Sequence, residues 1–177
     1  MKRISITMVA LALVAFGCGG QSSPTSSPNS MSGGATPLLG NEGNGVVHRV
    51  SAGGADADLT QHTDANFSLM AIQHANGEVS GEYTDQFGQG NGGFHATVNC
   101  LLVVGNQAWI SGVITSGGVP GVDFTGLPVI TRVADNGTSA NDPPDAISFS
   151  FIGNPTPCTA APPLPLLPMT DGQVNVD

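Results

Sequence analysis

From residue 46 to the C-terminus the chain reads as all-β, a small antiparallel up-and-down barrel of about eight strands, with a β-sandwich as the alternative. Short runs rich in Val, Ile, Phe and Thr recur, each closed by Gly, Asn, Asp or Pro, and no window of ten or more residues keeps a helical period. Within several runs apolar and polar residues alternate, the two-residue period of a half-buried strand. Asn76-Gly77 and Gly105-Asn106 fall between consecutive runs, where a tight hairpin needs residues that accept positive φ. Composition agrees: 40% of the 177 residues are hydrophobic, and 25 Gly with 13 Pro stay below the share of a low-complexity disordered chain.

The N-terminus reads differently. Met1-Lys2-Arg3 precedes a nearly continuous apolar run over residues 4–16, followed by Gly17-Cys18-Gly19-Gly20. At about 1.5 Å per residue the run is roughly 20 Å long, short of a hydrocarbon core of about 30 Å, so residues 1–17 read as a signal peptide. Ala15-Phe16-Gly17-Cys18 resembles the lipobox of bacterial lipoproteins, with Ala15 and Phe16 in place of the usual Leu-Ala/Ser pair. The resemblance implies cleavage before Cys18 and lipidation of its sulfur; an ordinary secretory signal with an incidental Cys is the alternative. Residues 18–45 are then a lipidated Cys and a Ser/Pro/Gly-rich tether with too little apolar surface to offset its chain entropy. Gly19, where lipoproteins held at the inner membrane carry Asp, favours the outer membrane in a didermal bacterium.

Residues 46–177 form the single expected β domain, with strands near 46–52, 66–74, 79–86, 93–104, 108–115, 129–134, 146–152 and 173–176. Asn76-Gly77 and Gly105-Asn106 are read as type I′ turns, and a return through residues 87–92 completes a meander over 66–115. Alternation puts Phe94, Ala96, Val98, Cys100, Leu102 and Val104 on the core face of their strand, with Phe67, Leu69 and Ala71 inward on the second and Ile147, Phe149 and Phe151 inward on the seventh. The proline-rich stretch after Cys158 suits no central strand and is expected to lie extended over the barrel before residues 172–176 rejoin the sheet.

With Cys18 taken by lipid, Cys100 and Cys158 remain as an even pair in an oxidising compartment, and a disulfide between them is expected. Closing a loop of that length contributes on the order of 4 kcal/mol in the chain-entropy model. A buried free Cys100 with an unrelated Cys158 is the alternative. The segments CLLVVGNQAWISGVIT (100–115) and RVADNGTSANDPPDAIS (132–148) resemble a group of small secreted bacterial proteins with a V-x-C-L-x-V-x-G-N-x-A-x-I-x-G core and a later R-V-x-D-N-G…P-P-D-x-I-S segment. The likeness spans most of residues 46–177 and implies a shared β-rich domain, without a catalytic residue, substrate or cofactor.

Charge narrows the partners. Four Lys and Arg stand against thirteen Asp and Glu, a formal net charge of −9. Lys2 and Arg3 lie in the leader, which leaves Arg49 and Arg132 as the cations of the remainder. Nucleic-acid binding and a polybasic grip on anionic lipid both need clustered Lys and Arg, so neither is expected.

The search for chemistry yields two weak metal candidates and no catalytic motif. Asp56, Asp58, His62 and Asp64 share one loop, and Asp135, Asp142 and Asp145 share another with Asn136 and Asn141; oxygen donors in either could hold Ca²⁺. Both stretches also read as solvated turns in which Asx side chains bond their own backbone. His48, His74 and His95 complete the imidazoles, but no H-E-x-x-H, C-x-x-C, EF-hand loop or G-x-S-x-G elbow is present. Arg132 is expected to pair with a nearby carboxylate, and Trp109 to point outward or into a barrel mouth. The expected function is a non-catalytic, lipid-anchored extracytoplasmic domain of the bacterial envelope with a structural or interaction role and no required cofactor. Binding of a small apolar ligand inside a lipocalin-like barrel is one alternative, and a calcium-dependent module is another.

Overall fold

A computed structural model of the chain describes residues 45–55, 65–139 and 141–177. The expected leader and nearly all of the expected tether lie outside these residues. The strands are β1 (Val46–Ala55), β2 (Asn66–His74), β3 (Val79–Gln86), β4 (Gly93–Val104), β5 (Gln107–Val119), β6 (Val122–Asp123), β7 (Pro128–Ala134), β8 (Ala146–Ile147), β9 (Phe151–Ile152), β10 (Leu167–Pro168) and β11 (Gln173–Val176). A 3-10 turn at Cys158–Ala160 separates β9 from β10. All pairings are antiparallel, in the order β10-β8-β7-β5-β4-β3-β2-β1-β11, with β6 on β5 and β9 on β7, and the sheet curls into a half-barrel.

The meander expected over 66–115 is present as β2 to β5, with β1 added beside β2, through turns of other types than those expected. At the β2–β3 turn the Gly77 amide donates to His74 O at 2.8 Å, and Gly77, at φ 85°, is the residue with positive φ while Asn76 is not. That is a type I turn closed by a left-handed glycine, and the Asn76 side chain caps it by accepting from the Glu78 amide at 2.9 Å. At the β4–β5 turn Val104 pairs with Gln107, and of the two residues between them only Gly105, at φ 61°, takes positive φ, as in a type II′ turn. The return over residues 87–92 is tight, with Phe87 N donating to Gly92 O at 3.1 Å.

One core fills the concave side. Phe67, Leu69 and Ala71 are buried in it as expected, together with Val50, Tyr83, Phe94, Ala96, Val98, Ile110, Ile114 and Val174. The expected core face of β4 fails after Val98. The β4–β5 register shifts between Val98 and Cys100, which leaves Asn99 as an extra residue in a β-bulge. One extra residue inverts the alternation, so Leu101 and Val103 face the main core, Cys100 and Leu102 face the other side, and Val104 is 57% exposed. The expected strand over 146–152 also breaks, into β8 and β9. Between them the Ser148 hydroxyl accepts from Arg132 N at 2.9 Å and donates to Phe149 O at 2.9 Å, diverting the ladder, and Phe149 is 46% exposed instead of inward.

A second cluster covers the opposite face of β4, β5 and β7. Trp109, Ile130, Cys158 and Leu164 are buried there, with Cys100, Leu102 and Phe151 packed against them. The chain from the 3-10 turn to β10 crosses this face as the expected cover, though it bends: Leu164 N donates to Pro162 O at 2.8 Å, a three-residue turn at Pro163. After it, β10 pairs with β8 and β11 pairs with β1, which brings the two ends of the sheet path toward each other.

Candidate functional site

Two aspartates at the open seam replace a ladder. Arg49 N and Asp177 O, and Asp177 N and Arg49 O, bond on the β1 side of β11, so the amides of Val174 and Val176 point the other way. Val174 N donates to Asp145 Oδ2 at 2.6 Å and Val176 N to Asp135 Oδ2 at 3.2 Å. The other carboxylate oxygens are also engaged: Asp145 Oδ1 accepts from Asn136 N at 2.8 Å and Asp135 Oδ1 from Gly137 N at 3.1 Å. Asp145 O accepts from Met169 N at 2.8 Å, so this 7%-exposed residue joins the segments before β8, after β10 and within β11. Charge-assisted bonds of this kind are among the stronger in proteins.

This geometry answers for the second acidic loop. Asp142 sits apart from the seam pair in role, accepting from Ser139 N at 2.9 Å, and lines with Asp145, Thr138 and Thr170 an open depression of about 580 Å³. Among the described residues no group of three or more His, Cys, Asp or Glu side chains is placed to hold a metal ion. Asp56, Asp58, His62, Asp64 and Cys18 lie outside the described residues. The described histidines serve separate strands: His48 Nδ1 lies 3.2 Å from Asp177 O, and His95 Nδ1 lies 3.0 Å from the Thr84 hydroxyl.

Inside the half-barrel, Tyr83 and Asp85 lie two residues apart on β3 and therefore share its inward face. The break between β8 and β9 brings Ser150 across to them, 67 residues away from Tyr83 in sequence. Ser150 Oγ donates to Asp85 Oδ2 at 2.5 Å and lies 2.5 Å from the Tyr83 hydroxyl, which is itself 3.3 Å from Asp85 Oδ2. Thr131 and Ser148, both buried, continue the polar patch with hydroxyls 3.2 Å apart. Burial first, and then the Asp85 charge, push the Tyr83 phenol well above its ordinary range, so it stays a protonated donor. Around this patch Tyr83 and Phe94 pack edge to face at 5.2 Å between centroids, and the gap bounded by Tyr83, Ala96, Val98, Ile110 and Val129 has no room for a water molecule. The arrangement ties β3 to the far wall through hydroxyls.

On the outer face the expected disulfide is present. Cys100 and Cys158 are bonded across Cα atoms 6.0 Å apart, and the Asn99 bulge is what turns Cys100 outward to meet the 3-10 turn. Trp109 and Arg132 are cross-strand partners on β5 and β7, and the guanidinium carbon lies 4.7 Å from the centre of the indole. Trp109 Nε1 donates to Pro162 O at 2.8 Å, Arg132 Nη1 to Leu164 O at 2.9 Å, and Arg132 Nη2 to Gln107 Oε1. The carboxylate partner expected for Arg132 is replaced by these contacts, because the side chain projects from β7 over Trp109.

No family model matches the chain, and no curated protein or solved structure matches it. The interior and outer constellations were missed in the sequence because each joins distant segments. A trace of the first was readable: Tyr83 and Asp85 fall on one face of a strand whose partners, Leu69 and Phe67, already point inward.

Proposed function

We propose that the chain is a non-catalytic, lipid-anchored extracytoplasmic domain of the bacterial envelope, a structural or interaction module that works through its outer surface. The packed interior carries this reading. A carrier of small apolar ligands needs a cavity of about 300 Å³ or more, whereas Phe67, Leu69, Tyr83, Phe94 and Ile110 occupy the space where it would lie. The acidic loop read as a calcium candidate directs the carboxylates of Asp135 and Asp145 at backbone amides. An oxidising compartment suits the Cys100–Cys158 bond, and the leader with Gly17-Cys18 supplies the route to it.

The anchor is tested by expressing the full chain and its Cys18→Ser variant in a bacterium and fractionating the envelope. The parent is expected in the membrane fraction, and the variant is expected to leave it; a variant that still sediments with membranes refutes lipid anchoring.

A further inference from the structure

The outer cluster differs from the main core in how it holds its cover. The slot of Trp109, Arg132 and Gln107 grips the segment over residues 161–165 (APPLP) at two backbone carbonyls, those of Pro162 and Leu164, and by the buried Leu164 side chain. Carbonyl capture by an indole N–H beside an aromatic and apolar surface is a general way of reading proline-rich peptides, because it demands little of the remaining side chains. The segment's own hydrogen bonds here are local, from Ala161 N to Cys158 O and from Leu164 N to Pro162 O. Arg132 Nε, although buried, has no hydrogen-bond partner, so one donor of the slot is left unused by the resident segment. Cys158, fully buried at the start of the segment, ties it to β4 through the half-buried Cys100.

We infer that Trp109, Arg132 and Gln107 form a docking slot for proline- and leucine-rich peptides, filled in cis by residues 161–165 and latched by the Cys100–Cys158 disulfide. A dithiol reductant opens the latch. Its thiolate attacks Cys100 Sγ, the bond to Cys158 breaks, and its second thiol resolves the mixed disulfide. Two electrons and two protons pass to the cysteine pair, and the reductant closes its own disulfide. The freed segment then exchanges with a peptide in trans.

The chain's single tryptophan reports the outcome. The full chain is treated with dithiothreitol and titrated with a synthetic peptide of residues 159–168 (TAAPPLPLLP). Reduction should move Trp109 emission to longer wavelength, and the peptide should move it back saturably; the oxidised chain should do neither. Leu164→Asp, which expels the segment with the disulfide intact, should bind the peptide in the oxidised state. Combining it with Arg132→Lys, which loses the guanidinium fork, should weaken that binding about tenfold. The slot is refuted if the Leu164→Asp chain ignores the peptide or if Arg132→Lys binds it equally well. The latch is refuted if reduction leaves Trp109 buried or abolishes the far-ultraviolet β spectrum.

Discussion

Asp145 illustrates how a loop acid becomes a structural joint. Its carboxylate accepts from Asn136 N and Val174 N, so Asp145→Ala leaves two amide donors without acceptors and is expected to cost about 2–5 kcal/mol. Asp145→Asn, which keeps one acceptor oxygen, should lose less. Urea unfolding followed by circular dichroism checks both, and equal midpoints for the three chains would contradict the joint. Tyr83, the single tyrosine, gives a second residue-level expectation. Its phenol is raised well above 10.0 by burial, so the contribution it makes to stability is complete below that pH and is lost as pH rises through the higher folded value. Absorbance near 295 nm should therefore show ionisation of native Tyr83 only well above pH 10, accompanied by falling stability; titration at the ordinary phenol value would contradict its burial beside Asp85. Neither role was legible from the residues alone. Asp135 and Asp145 sit among Asn, Gly and Pro, a composition shared by turns, calcium loops and seams, and only β11, 28 residues beyond Asp145 at its first residue, distinguishes them.

At the scale of elements, the strands themselves were readable and their faces only partly so. The runs at 66–74, 79–86 and 93–104 match β2, β3 and β4 residue for residue, because Gly and Asn punctuation bounds a two-residue period there. The face of β4 inverts at Asn99, and nothing in an apolar stretch such as CLLVV marks where a bulge falls. The run at 146–152 alternates cleanly yet divides, since the Ser148 hydroxyl competes for the backbone. The bulge carries a prediction of its own. Deleting Asn99 takes out the unpaired residue while Val98 and Cys100 keep Gly112 and Ser111 as consecutive partners, so regular alternation still points Cys100 outward at Cys158 and the disulfide should form. Mass measurement before and after reduction decides it: the 100–158 cross-link should be found in the parent and in the deletion chain alike, and its loss on deletion would contradict the account of the bulge.

For the whole molecule, a curled sheet with two covered faces leaves its chemistry at the periphery. The concave side is filled by one core, the seam is stitched by two carboxylates, and the convex side of β4, β5 and β7 is capped by a disulfide-tethered segment. The barrel class was legible from hairpin spacing and alternation, while the way it ends was not, because closure by side chains leaves no strand signature. Melting temperatures in millimolar calcium and in chelator should coincide, and a chelator-dependent fall would restore the calcium reading. The most direct test of the proposal that the domain works from its outside is the interior. Long-chain fatty acids titrated into the purified protein should leave its melting temperature unchanged, whereas a bound ligand at about one hundred times its Kd would add about 2.7 kcal/mol of stability. A concentration-dependent rise that vanishes when Ala96→Phe enlarges a side chain at the centre of the core would show that the barrel holds ligand and would contradict the account.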